Sequence, residues 1–113
     1  MIRRKDELTK VVGPIEGGKG NITRELLIEG DELKNQAKVF AKLSVPVGGS
    51  VGLHEHNKDY EVYYILRGKG EVLDGDKIVQ VNEGDVVYAI NTKHYIENIG
   101  DEKLVFLAVI INL

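Results

Sequence analysis

From residue 20 onward the chain is built of short β-prone runs cut apart by glycine, asparagine and aspartate, and no stretch sustains a helical period. This feature constrains the fold more than any other. Candidate strands run over Asn21–Glu29, Gln36–Val47, Tyr60–Arg67, Glu71–Leu73, Lys77–Val81, Asp85–Ile90, His94–Ile99 and Leu104–Leu113. Glu32–Asn35 allows a helical turn at most. Asp74-Gly75 is a hairpin signal. Strand signals roughly every 8–12 residues predict an all-β sandwich or small barrel. At 113 residues the chain suits a single domain.

The charge balance, 15 basic against 18 acidic residues, offers no basic surface for nucleic acid or an anionic membrane. No apolar run approaches the ~20 residues of a membrane span. With no cysteine, disulfides, thiolate ligands and Cys/His nucleophiles are excluded. A cytoplasmic protein is the expectation. The glycines read as turn punctuation, and none forms a phosphate loop. Residues 1–20 are expected to form an N-terminal arm that packs on the barrel or on a partner subunit, ahead of a barrel over 21–113. Within the arm, Met1–Lys10 reads as a solvated, mobile terminus.

The final run, Leu104-Val105-Phe106-Leu107-Ala108-Val109-Ile110-Ile111, is apolar on both faces of a strand. One face can fill a barrel. The other needs a cover, and the chain has no amphipathic helix to supply it, so a homodimer is expected.

Two of the three histidines lie one residue apart, His54 and His56, with Glu61 five positions later. Residues i and i+2 of a strand share a side, so both imidazoles can aim at one point. Taken alone, the pair reads equally as turn histidines or as the start of a metal site.

The wider spacing resembles the cupin family. The first motif of that family is matched in full by Gly48, His54, His56, Glu61 and Gly68. The second is matched by Gly84, His94 and Asn98, but Ile90 stands where proline is expected and His94 arrives one residue early. The loop 90–93 is therefore expected to differ from the family norm. The run from Tyr60 to Val72 and the apolar ending are most similar to small single-domain cupins of the oxalate-binding-protein type. The resemblance implies a double-stranded β-helix, or jelly roll, with a divalent transition metal inside, held by His54, His56, Glu61 and His94. Three neutral nitrogens and one carboxylate suit manganese first, with iron, nickel or zinc as alternatives. The implied ligand is a small carboxylate or polyol. The implied function is a small metalloenzyme of dioxygenase, decarboxylase or isomerase type; the alternative is non-catalytic metal-dependent binding of a small carboxylate such as oxalate.

Strand parity extends the candidate site. If Glu61 points inward, so do Tyr63 and Ile65, while Val62, Tyr64 and Leu66 face away. His94 inward implies Ile96 and Asn98 inward. Arg24 shares parity with Ile22, Leu26 and Ile28, and on the inner face it would meet a carboxylate. Tyr63 and Arg24 are thus the candidate substrate-binding residues. Lys42, Glu55 and Tyr88 are weaker candidates for the pocket wall.

Overall fold

The computed structural model describes residues 1–113. Eight strands carry the fold: β1 Thr9–Gly13, β2 Ile22–Leu26, β3 Ala37–Val45, β4 Ser50–Arg67, β5 Lys69–Asp74, β6 Lys77–Asn82, β7 Val86–Asn98 and β8 Leu104–Asn112. Two short 3-10 turns, Lys5–Glu7 and Gly30–Leu33, complete the regular structure, and no helix is long and apolar enough to cross a membrane. The strands pair antiparallel in the order β1-β2-β3-β8-β4-β7-β5-β6, in keeping with the jelly roll.

The long strand β4 is the hinge of the architecture. Its first half pairs with β7, and its second half pairs with β7 on one edge and β8 on the other. The β5–β6 hairpin forms where Asp74-Gly75 predicts it, with Asp74 opposite Lys77 across the turn. Alternation then builds the core. Ile22, Leu43, Val45, Tyr63, Ile65, Ile96, Leu104 and Phe106 all point to one interior. Gly68 closes the turn after β4 at φ +89, and a Cβ there would sit 2.7 Å from the Lys103 carbonyl oxygen. Only glycine fits both demands.

Two expectations need correction. The runs 85–90 and 94–99 are not separate strands; both lie in β7, and the expected loop 90–93 is continuous strand with Asn91 in the left-handed region at φ 51. The terminus Met1–Lys10 is largely exposed but tethered. Arg3 donates to both Glu32 carboxylate oxygens, at 2.7 and 3.1 Å, and to the Leu27 carbonyl at 2.8 Å. Thr9–Gly13 then pairs with β2 along its whole length, and Ile15 bridges to Val51. The sequence hides this strand because one-sided pairing at a sheet edge asks for little apolar alternation.

Candidate metal centre

His54 and His94 are direct cross-strand partners on β4 and β7. Residues facing each other in an antiparallel pair bring their side chains close, and the two rings lie 4.4 Å apart. His56 follows on the same face, 4.9 and 5.0 Å from the other two rings. Glu61 needs an irregularity to join them. It is five residues from His56, an odd separation that would put it on the opposite face of a regular strand. The ladder slips between His56 and Tyr60, where three residues of β4 face one residue of β7, Asn91. That bulge returns Glu61 to the interior.

The result is a buried convergence. Glu61 Oε1 lies 3.2 Å from His54 Nε2 and 3.0 Å from both His56 Nε2 and His94 Nε2. Glu61 is 5 % exposed and His94 1 %. Burial works to raise the Glu61 pKa, but the histidine hydrogen bonds outweigh it and hold the carboxyl at about 2. Burial also opposes a charge on His54, yet its bonds to Glu61 and the Gly52 carbonyl leave its pKa raised.

The outer nitrogens decide what the centre can hold. His54 Nδ1 lies 2.7 Å from the Gly52 carbonyl oxygen, which can only accept, so Nδ1 carries a proton. His56 Nδ1 lies 2.6 Å from Asp59 Oδ1. Asp59 is ionised: burial would raise its pKa, but Lys38, at 2.6 Å from Oδ2, and His56 lower it. In the neutral form both rings therefore present bare Nε2 lone pairs to a carboxylate oxygen. A bound metal cation satisfies such a set of donors, and without it a proton on Nε2 bridges ring and carboxylate. The donor atoms of His54, His56, Glu61 and His94 all lie within 4.8 Å of one another, and three nitrogens with one carboxylate are suitable chemistry for a divalent transition metal. The group fits.

A cavity of about 490 Å³ opens onto this cluster. Tyr63 and Arg24 both line it. Tyr63 is fully buried, stacks on His94 with rings 5.4 Å apart, and packs on Phe106. Burial, joined by the Glu61 charge, pushes its pKa well above the usual tyrosine value, so its hydroxyl stays protonated. The Arg24 Nε is buried and has no hydrogen-bond partner. Glu55 lies at the rim, exposed. Lys42 and Tyr88 do not reach the cavity. Lys42 pairs with Glu25 at 3.4 Å, and Tyr88 is 59 % exposed against Tyr60 on the outer face. Asn98 points inward but is occupied by the backbone. Its Nδ2 donates to the Val45 and Glu102 carbonyls, and its Oδ1 accepts from the Gly100 N–H.

Sequence reasoning misses Asp59 and Lys38, because their access to His56 depends on the bulge. It also misses the reason for Gly52. A Cβ there would lie 2.1 Å from the Glu16 carbonyl oxygen, so glycine lets the Ile15–Gly18 segment approach the strand whose carbonyl orients His54.

Comparison with known proteins agrees with this fold. The family described as Cupin domain matches residues 41–110. An oxalate-binding protein of Thermotoga maritima is 41 % identical over 115 residues, covering 100 % of this chain and 95 % of that protein. An uncharacterized protein of Methanocaldococcus jannaschii is 42 % identical over 90 residues, covering 78 % of this chain and 70 % of that one. The crystal structure of a Thermotoga maritima protein described as a predicted oxalate decarboxylase superposes with a TM-score of 0.94 at 41 % identity, over all of both chains. A cupin-2 domain from Rhodospirillum rubrum shares the fold at a TM-score of 0.75 and 22 % identity, covering 98 % of this chain and 74 % of that one.

Proposed function

This chain belongs to the cupin family, and we propose that its cavity binds a small carboxylate through a divalent metal ion held by His54, His56, Glu61 and His94. One observation carries the reading. Three Nε2 atoms converge on one buried carboxylate oxygen, and in two of the rings Nδ1 is turned to an acceptor, so that Nε2 is the nitrogen offered to a metal. Manganese is the first choice, with iron, nickel and zinc admitted by the same donors. The bound ion supplies Lewis acidity toward an oxygen-rich ligand. The chain's own residues do the rest. Asp59 and the Gly52 carbonyl orient His56 and His54, Tyr63 offers a protonated hydroxyl in the cavity wall, and Arg24 offers a fixed positive charge. The name of the Thermotoga maritima oxalate-binding protein supports a carboxylate as the ligand class.

Turnover of the carboxylate is the second reading, and Glu55 favours it. This rim carboxylate sits between the two ligand histidines in sequence, takes part in no ion pair, and lines the mouth of the cavity where a ligand would enter. We also propose a homodimer formed through the outer face of β3, β8, β4 and β7. The N-terminal segment pairs with β2 and leaves that face uncovered.

Titration of chelator-free protein with Mn²⁺, Fe²⁺, Ni²⁺ and Zn²⁺ tests the reading. One ion should bind per chain. At a hundredfold excess over Kd, binding adds about 2.7 kcal/mol, which raises Tm by on the order of 10 °C. His54→Ala should lose both effects. Protein that stays metal-free with all four ions, and whose His54→Ala variant melts as the wild type does in their presence, would overturn it. Oxygen uptake and CO₂ release against a panel of small acids then separate turnover from binding.

A further inference from the structure

The cavity is larger than oxalate alone needs. At roughly 30 Å³ for each water-sized group, the six non-hydrogen atoms of oxalate fill less than half of the 490 Å³. Its two polar ends come from distant places in the sheet. His54, His56 and Glu61 are on β4, and Arg24 is on β2. In the sheet order, β3 and β8 lie between these strands. Those two strands contribute Val39 and Leu43, and Ala108 and Ile110, to the cavity wall. An apolar strip therefore separates the metal cluster from the arginine.

The charges along the wall are not equivalent. Lys38 also lines the cavity, but its ammonium is taken up by Asp59 at 2.6 Å. Glu16 and Glu55 are exposed at the rim and repel an anion placed there. Arg24 is different. Its side chain enters none of the ion pairs, and its buried Nε donor is unsatisfied. A buried donor without a partner is destabilising, and the complement of a guanidinium is a carboxylate bound by two parallel hydrogen bonds.

We infer that the ligand of this cavity is a longer acid than oxalate: a chelating oxygen pair at one end, an apolar body against β3 and β8, and a second carboxylate bound by Arg24. The inference rests on the reading of the cluster as a metal site and narrows its ligand. Acids of the α-keto dicarboxylate class have this form, since their first carboxylate and keto oxygen chelate while the far carboxylate sits several carbons away.

Calorimetry on Mn²⁺-loaded protein tests it with oxalate, oxaloacetate, α-ketoglutarate and α-ketoadipate, and with α-ketoisocaproate as an apolar-tailed acid that lacks the second carboxylate. The longest dicarboxylates should bind at least tenfold more tightly than oxalate. Arg24→Met should weaken them roughly 10- to 100-fold, the range of a charge-assisted hydrogen bond, and change α-ketoisocaproate by less than about twofold. Arg24→Lys should fall between, and melting of the loaded variants reports whether the fold survives. If Mn²⁺ does not load, the metal reading fails and takes the chelating end with it. If Mn²⁺ loads and oxalate binds as tightly as every longer acid, or Arg24→Met leaves the series unchanged, this inference alone is overturned.

Discussion

The three histidines differ in what holds the nitrogen that faces away from the centre. For His54 it is a backbone carbonyl, for His56 a carboxylate, and for His94 nothing: its Nδ1 is buried without a partner, and the ring is held by packing against Tyr63. A carboxylate on the far side of a ligand imidazole fixes its tautomer and raises its basicity, and losing such a partner lowers metal affinity roughly 10- to 100-fold. That loss is expected for Asp59→Asn, because an amide can present its NH₂ to Nδ1 and stabilise the wrong tautomer. Lys38→Met removes only the outer cation and should cost less than Asp59→Asn. Isothermal titration with Mn²⁺ checks both, and equal affinity for Asp59→Asn and wild type would mean that the strand alone orients His56. The four central residues are legible in the sequence because their types and spacing are unusual. Asp59 is not, because an aspartate three residues after a histidine has no meaning until the backbone between them is known.

Along the elements, parity reasoning succeeds wherever the strand is regular. Tyr63 and Ile65 do follow Glu61 inward, Ile96 and Asn98 follow His94, and Tyr64 faces out. Parity cannot cross the bulge between His56 and Tyr60, and no residue pattern announces where that irregularity falls. The amino-terminal segment has its own device in the Arg3–Glu32 pair. The hydrogen bond from Arg3, aided by the Glu29 backbone, lowers the Glu32 pKa to about 2, against about 4.3 in an unfolded chain. A carboxyl depressed on folding contributes fully above its unfolded value and loses that contribution as pH falls toward its folded one. Docking of the segment should therefore be intact above about pH 4.5 and weaken progressively toward about pH 2. Amide-exchange protection of Thr9–Gly13 should fall over that window in the wild type. In Arg3→Ala it should already be low at neutral pH, and equal protection in the two proteins would show that β1 needs no tether.

For the molecule as a whole, the outer face of the sheet is the unfinished part. Cross-strand rows run Phe40–Val109–Val62–Tyr88 and Lys42–Leu107–Tyr64–Val86 over four adjacent strands. Tyr64 is 44 % exposed and Val86 63 %, and the one lysine is paired with Glu25. A patch this apolar and continuous favours a second copy, because a two-fold contact covers the same rows on both partners at once. Sedimentation at micromolar concentration should give twice the 12.6 kDa chain mass. Tyr64→Glu, which introduces a charge at the middle of a row, should return the chain to a monomer while keeping its metal-dependent melting shift. A wild-type mass of one chain would remove the dimer and leave the metal centre untouched.

Local rules suffice for most of the strand menu, though not for β1, and for the inward side of each regular run and the four residues of the centre. Side chains alternate along a strand, glycine permits the turns, and histidine with glutamate in cupin spacing is too specific to arise from packing. How the pieces meet is a property of the folded chain. Folding joins 86–98 into one strand through Asn91, bends β4 so that Glu61 rejoins His56, and brings Asp59 and Lys38 behind that histidine. It also places Arg24 on the cavity wall beyond β3 and β8. These features depend on register between strands far apart in the chain, and register is set by the summed packing of the whole barrel rather than by any residue's neighbours in sequence.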